Sequence, residues 1–174
     1  MNKRYLAGGI AIALGVIWIT GITYSLITSF LPVSLPNPEA WAQQIYFPSS
    51  AVSTLLYIFF LLAWVFYSHT KRCKSSADAK MALGPWLMLL GMSWLSNIVC
   101  LVLFIQLTVV QAPANQSAMQ GGSFVNNPPY EYLIPLALIN ALLLFWLPSV
   151  FLTQRTLRFI PPFSYQIQSI LEKR

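Results

Sequence analysis

Four stretches of this chain are mostly apolar: Leu6 to Ser29, Ser50 to Tyr67, Pro85 to Val110 and Tyr132 to Thr153. No Asp, Glu, Lys, Arg or His interrupts any of them. An α-helix rises 1.5 Å per residue, so roughly 20 apolar residues cross the hydrocarbon core of a bilayer. The second stretch is short at its strict limits and borrows Ser68 and His69 at one end. A length of 174 residues would suit one soluble domain. The composition does not, because 8 % of the residues are charged where soluble domains carry roughly 25 %.

The ten Lys and Arg residues orient these stretches. Lys3 and Arg4 precede the first. Lys71, Arg72, Lys74 and Lys80 lie between the second and third, and Arg155, Arg158, Lys173 and Arg174 follow the fourth. The connectors Leu31 to Ser49 and Gln111 to Glu131 contain none. Positive charge resists translocation, so this pattern predicts a multi-pass membrane protein. The expected fold is an all-α antiparallel four-transmembrane-helix bundle with both termini inside. Its spans are about 6–29, 50–69, 85–110 and 132–153, with an inner loop over 70–84. Outer loops fall at 30–49 and 111–131, and an inner tail at 154–174. All of it is one membrane domain.

The net charge of +6 sits on short flanks of the spans, which makes anionic headgroups of membrane lipids its expected partners. No nucleic-acid contact is expected, since no separate basic domain exists to carry it. Cys73 falls in the basic loop and Cys100 inside the third span. Thiol-relay chemistry needs paired cysteines in the connectors of the oxidising side, and those connectors have none.

Lys3 and Arg4 before an apolar run imitate a secretion signal, and Ala40-Trp41-Ala42 offers a small-x-small cleavage pattern. The run is longer than the roughly 7–15 residues of a signal core, so cleavage is not expected. Asn37, Pro38 and Glu39 are suited to begin a short surface helix with Trp41 and Ile45 on one face, stopped by Pro48. The polar connector Gln111 to Tyr130 reads as a surface loop. Its Asn115-Gln116-Ser117 fits the N-glycosylation pattern weakly. Past Pro161-Pro162, Ile167, Ile170 and Leu171 recur at helical spacing and predict a short helix on the inner membrane surface.

Polar residues within a span are the default pointers to function. Here they are Ser93, Ser96, Asn97, Cys100 and Gln106 in the third span and Asn140 in the fourth. Ser93, Asn97 and Cys100 share one helix face, with Gly84 and Gly91 on or near it. Such a stripe packs helices together more often than it lines a path. Asn97 lies 12 residues past Pro85 and Asn140 lies 8 past Tyr132. Both therefore come close to the bilayer midplane, and a contact between them, direct or through one water, is expected. A second stripe of small residues marks the first span: Ala7, Ala11 and Gly15, then Gly21, Ser25 and Ser29. Thr20, Thr23 and Thr28 can bond their own backbone carbonyls.

His69 has no companion ligands, and Glu39, Asp78, Glu131 and Glu172 are scattered, so no metal site and no catalytic residue is expected. Glu131, between Tyr130 and Tyr132, is the one candidate cation contact. Phe59, Phe60, Trp64, Trp94, Phe104 and Trp146 could wall a quinone, carotenoid or lipid, though such side chains usually face lipid or core. No cofactor is assigned.

These features lead to a non-catalytic reading: an accessory subunit, assembly factor or interaction partner of a larger membrane complex, joined to a membrane-protein partner or to its own copies. A small oligomeric permease or channel is the alternative, with Ser96, Asn97, Gln106 and Asn140 as its only polar route. In size and topology alone the chain also resembles four-span immunity proteins that neutralise pore-forming bacterial toxins. The absence of a transit peptide fits a bacterial plasma membrane or a thylakoid membrane.

Overall fold

A computed structural model describes residues 3–30, 39, 42–71, 80–111, 130–157 and 159–173. Within those ranges it describes the backbone alone at 27, 28, 30, 104–111, 130–133, 155 and 171–173. Every regular element among the described residues is helical. Four helical stretches are long and apolar enough to cross a membrane: Lys3–Leu26, Ala42–Thr70, Leu83–Leu103 and Ile134–Leu152. They are called helices 1 to 4, and a tail helix, Ser164–Lys173, follows.

Helix 2 begins earlier than its apolar run suggests. A π-helical turn, Ala42–Tyr46, leads without a break into the α-helix Phe47–Thr70. Pro48, expected to stop a separate surface helix, lies inside this continuous stretch. Proline has no N–H, and its ring collides with the carbonyl four residues back in a regular α-helix. A widened π turn just before it relieves that collision. Helix 4 repeats the arrangement, with the π turn Leu142–Trp146 followed by Leu147 and Pro148. Helix 1 carries a third π turn, Trp18–Ile22, with no proline near it. Glu39 is helical and exposed, whereas Asn37, Pro38, Trp41, the loop around Asn115 and the basic segment 72–79 lie outside the described residues.

The core lies where helices 1, 2 and 4 meet. Tyr57, Leu61, Trp64, Leu144 and Phe145 are almost wholly buried there, joined by Ala82 and Trp86 at the start of helix 3. Helix 1 approaches helix 4 most closely at two glycines. A Cβ placed on Gly8 would fall 2.5 Å from Leu152, and one on Gly15 would fall 2.6 Å from Leu144. Residue numbers rise along helix 1 as their helix 4 partners fall. Helix 3 is the most peripheral, with Leu87, Met88, Leu95 and Leu103 at least half exposed.

Candidate functional site

The polar side chains of the helices collect at two levels. The first lies toward the end of the helices that carries no Lys or Arg. There Asn140 is 4 % exposed, and its Oδ1 accepts from Trp18 Nε1 at 3.0 Å and from Thr23 Oγ1 at 3.2 Å. One amide thus ties helix 4 to two successive turns of helix 1. Beside it, the Tyr46 hydroxyl of helix 2 donates to the Ile19 carbonyl inside the π turn of helix 1. Three of the four helices are joined here by side-chain hydrogen bonds, which are needed because hydrocarbon offers no water to satisfy them.

This junction borders a cavity of about 30 Å³ to which all four helices contribute. Ile19 and Thr23 come from helix 1, Tyr46, Ser49 and Ser50 from helix 2, Asn97 and Leu101 from helix 3, and Leu136, Ala137 and Asn140 from helix 4. Such a space has room for about two water molecules, and Thr23, Tyr46, Ser49, Ser50, Asn97 and Asn140 are the polar residues of its largely apolar wall. Because Asn140 Oδ1 takes both indicated donors, its Nδ2 amino group is the half of the amide left for the cavity. Of the two forms expected for the meeting of Asn97 with Asn140, the direct hydrogen bond is not made. The two residues line one cavity without it, and the Asn140 amino group is left to donate to a water between them.

The remaining polar candidates are placed as follows. Ser93 is buried and donates to the Leu90 carbonyl at 2.7 Å, and Ser96 donates to the Ser93 carbonyl at 2.9 Å. Both are satisfied within helix 3 and neither needs an outside ligand. The side chain of Gln106 lies outside the described residues, as do those of Phe104, Thr28 and Glu131. On helix 1, Ala11 and Gly15 are buried, Ala7 is half-buried, and Gly21, Ser25 and Ser29 are exposed. The close approach runs through Gly8, Ala11 and Gly15. Thr20 bonds its own helix at Val16 as expected, whereas Thr23 turns across to Asn140.

The second level lies at the basic end and was missed in the sequence. Trp64 Nε1 donates to Thr153 Oγ1 at 2.7 Å, and Thr153 donates onward to the Ser149 carbonyl at 2.6 Å. Trp86 Nε1 donates to Ser149 Oγ at 3.2 Å, and Ser149 donates to the Trp146 carbonyl at 2.7 Å. Each hydroxyl gives its proton to its own helix and accepts an indole N–H from a neighbour. A signal for this was available. Ser149 and Thr153 lie four apart on one face of helix 4, and an indole N–H within a span requires an acceptor.

The last carbonyls of a helix have no partner within it. At the end of helix 4 they are capped by three distant side chains, Arg4, Ser164 and Gln168. Arg4 donates to the Thr153 carbonyl and, at 3.4 Å, to that of Phe151. Gln168 of the tail helix donates to Val150 O at 2.6 Å and lies 3.0 Å from Ser164 Oγ, which itself donates to Val150 O at 2.7 Å.

Among the described residues no three His, Cys, Asp or Glu side chains gather where an ion could be held. His69 is exposed, with its Nδ1 2.8 Å from the Val65 carbonyl of its own helix. What the two polar levels can do chemically is hydrogen-bond neutral groups, to each other or to water. No family model matches this chain, and neither does any curated protein or any solved structure.

Proposed function

We propose that the chain is an antiparallel four-helix membrane bundle with both termini on the cytoplasmic side, resident in a bacterial plasma membrane. In that bundle it serves without catalysis as an accessory subunit, assembly factor or interaction partner of a larger membrane complex. The observation that carries this reading is the division of labour among its small and polar residues. Asn140, Ser149, Thr153 and Gln168 are spent on joining the chain's own helices. Gly21, Gly84 and Gly91 are exposed, with nothing within 4 Å of where a Cβ would stand. Small residues on an apolar helix face allow another helix to approach closely, because in lipid it is packing rather than hydrophobicity that drives association.

A photo-crosslinking residue placed beside Gly21 or Gly91, followed by purification in mild detergent and mass spectrometry, tests this. Stoichiometric cross-linking to a different membrane subunit is the expected result. A protein that stays monomeric and uncrosslinked in its native membrane overturns the reading.

The shared cavity of Asn97 and Asn140 favours the permease as a second reading. Toward the basic end, however, Tyr57, Trp64, Trp86 and Phe145 are packed with almost no exposure. A path through one chain is closed there, so a route across the membrane would have to run between copies. Cross-links between copies alone would favour it, and capture of a pore-forming toxin would favour the immunity role.

A further inference from the structure

We propose that the segment from Phe159 to Ile170 is a docking surface for the anionic lipids of the leaflet at the basic end. It rests on helix 4 spanning the membrane and is independent of any protein partner.

The tail turns one side to helix 4, where Ile160 is buried and Ile167 half-buried, and leaves several large apolar side chains outward. Its fully buried residues are the polar Ser164 and Gln168, both bonded to the end of helix 4. Its outward residues are Phe159 and Phe163, each 65 % exposed, with Ile170 at 59 % and Tyr165 at 41 %. Phe159 and Tyr165 stack at 4.8 Å between ring centroids. Of the expected apolar positions, Ile170 is exposed and Ile167 is half-buried, while the side chain of Leu171 lies outside the described residues.

Phe163 adds a second observation. Its φ of 66° is left-handed backbone, which a bulky residue adopts only when the surrounding structure enforces it. Just after Pro161 and Pro162, that turn sends the chain back so that Ser164 and Gln168 can reach helix 4, and Phe163 is left outward.

Position and charge name the occupant. The tail begins directly after Leu152, where helix 4 ends, and Gln168 holds it against that end. The outward side chains are therefore at the depth of the membrane–water interface, where aromatic residues are enriched. The segment 154–174 contains Arg155, Arg158, Lys173 and Arg174 against one acid, Glu172. Lys3, Lys71 and Lys80 are exposed at the starts of helices 1 and 3 and the end of helix 2. Aromatic side chains at interface depth, in a segment whose sequence is net positive, fit a leaflet rich in phosphatidylglycerol-type headgroups.

The test is amide hydrogen exchange of the full-length protein in phosphatidylcholine nanodiscs with and without phosphatidylglycerol. Exchange over 159–170 should slow when phosphatidylglycerol is present, and high salt should abolish that difference in the unaltered protein, since it screens exposed charge. In R155Q/R158Q the preference should fall roughly 30-fold, at about fivefold per cation near an anionic surface. In F163S, which keeps every charge, protection should weaken in both lipid compositions. Equal exchange in the two nanodiscs, or a difference that high salt leaves intact, overturns the proposal. So does protection that appears only when membrane proteins are added back.

Discussion

Replacing Asn140 by Leu removes the acceptor of two hydrogen bonds, from Trp18 at 3.0 Å and Thr23 at 3.2 Å. Interhelical bonds in membranes are worth about 0.6 kcal/mol on average and at most about 1.7 kcal/mol each. Two of them set the loss at about 1–3 kcal/mol. Thr23 can recover part of it by turning to its own backbone, while the Trp18 indole has no such recourse. Asn97→Leu is a different case. Asn97 is half-buried and bonds no described protein group, so its replacement should cost under about 1 kcal/mol, the value of a water-mediated contact at most. The assay is reversible unfolding in mixed micelles of rising SDS fraction, with a double-mutant cycle between Trp18→Phe and Asn140→Leu. A coupling energy of about 0.6–1.7 kcal/mol is expected for that pair. Equal losses for Asn97→Leu and Asn140→Leu, together with zero coupling between Trp18 and Asn140, would refute the assignment.

Gly15→Ala should destabilise by about 1–3 kcal/mol in the same titration, because the new Cβ meets Leu144 at 2.6 Å and the Leu143 carbonyl at 3.3 Å. Gly91→Ala, with open space beside it, should be neutral in the isolated protein. Gln168→Leu leaves the Val150 carbonyl with fewer donors and should loosen the tail by about 1 kcal/mol, read as faster proteolysis after Lys173 with all four helices still inserted. Reporters fused after Arg174 or inserted near Ser76 should report the cytoplasm, and those near Asn37 or Gly121 the opposite side. A Ser76 reporter on the outside would overturn the topology.

Much of the fold was legible because it depends on sums along the chain. Four uncharged runs of sufficient length announce four helices whatever their neighbours are, although helix 3 begins at Leu83 and not at Pro85. The site was legible only in part. Asn140 could be singled out because an amide in hydrocarbon is costly, and Asn97 for the same reason, but the partner of Asn140 could not. Trp18, Trp64 and Trp86 were harder still. An indole counts as apolar in any hydropathy sum, yet its single N–H decides which hydroxyl it must face. The tail shows the same limit. Its spacing of Ile167 and Ile170 predicts a helix, and does not reveal that Gln168 turns inward.

Hydropathy and charge placement by themselves determined four apolar helices with every cation flanking one end of them. These are properties of composition over about 20 residues and survive small errors in register. The tertiary structure alone decided which stripe of each helix turns inward. Ala7 and Gly8 point about 100° apart, yet both flank the shared positions Ala11 and Gly15, so exchanging one for the other turns the contacting face of helix 1 by roughly 30°. Only the mutual fit of Gly8 with Leu152, Gly15 with Leu144 and Asn140 with Trp18 selects one rotation. That fit depends on all four helices at once, so no single stretch of the chain contains it.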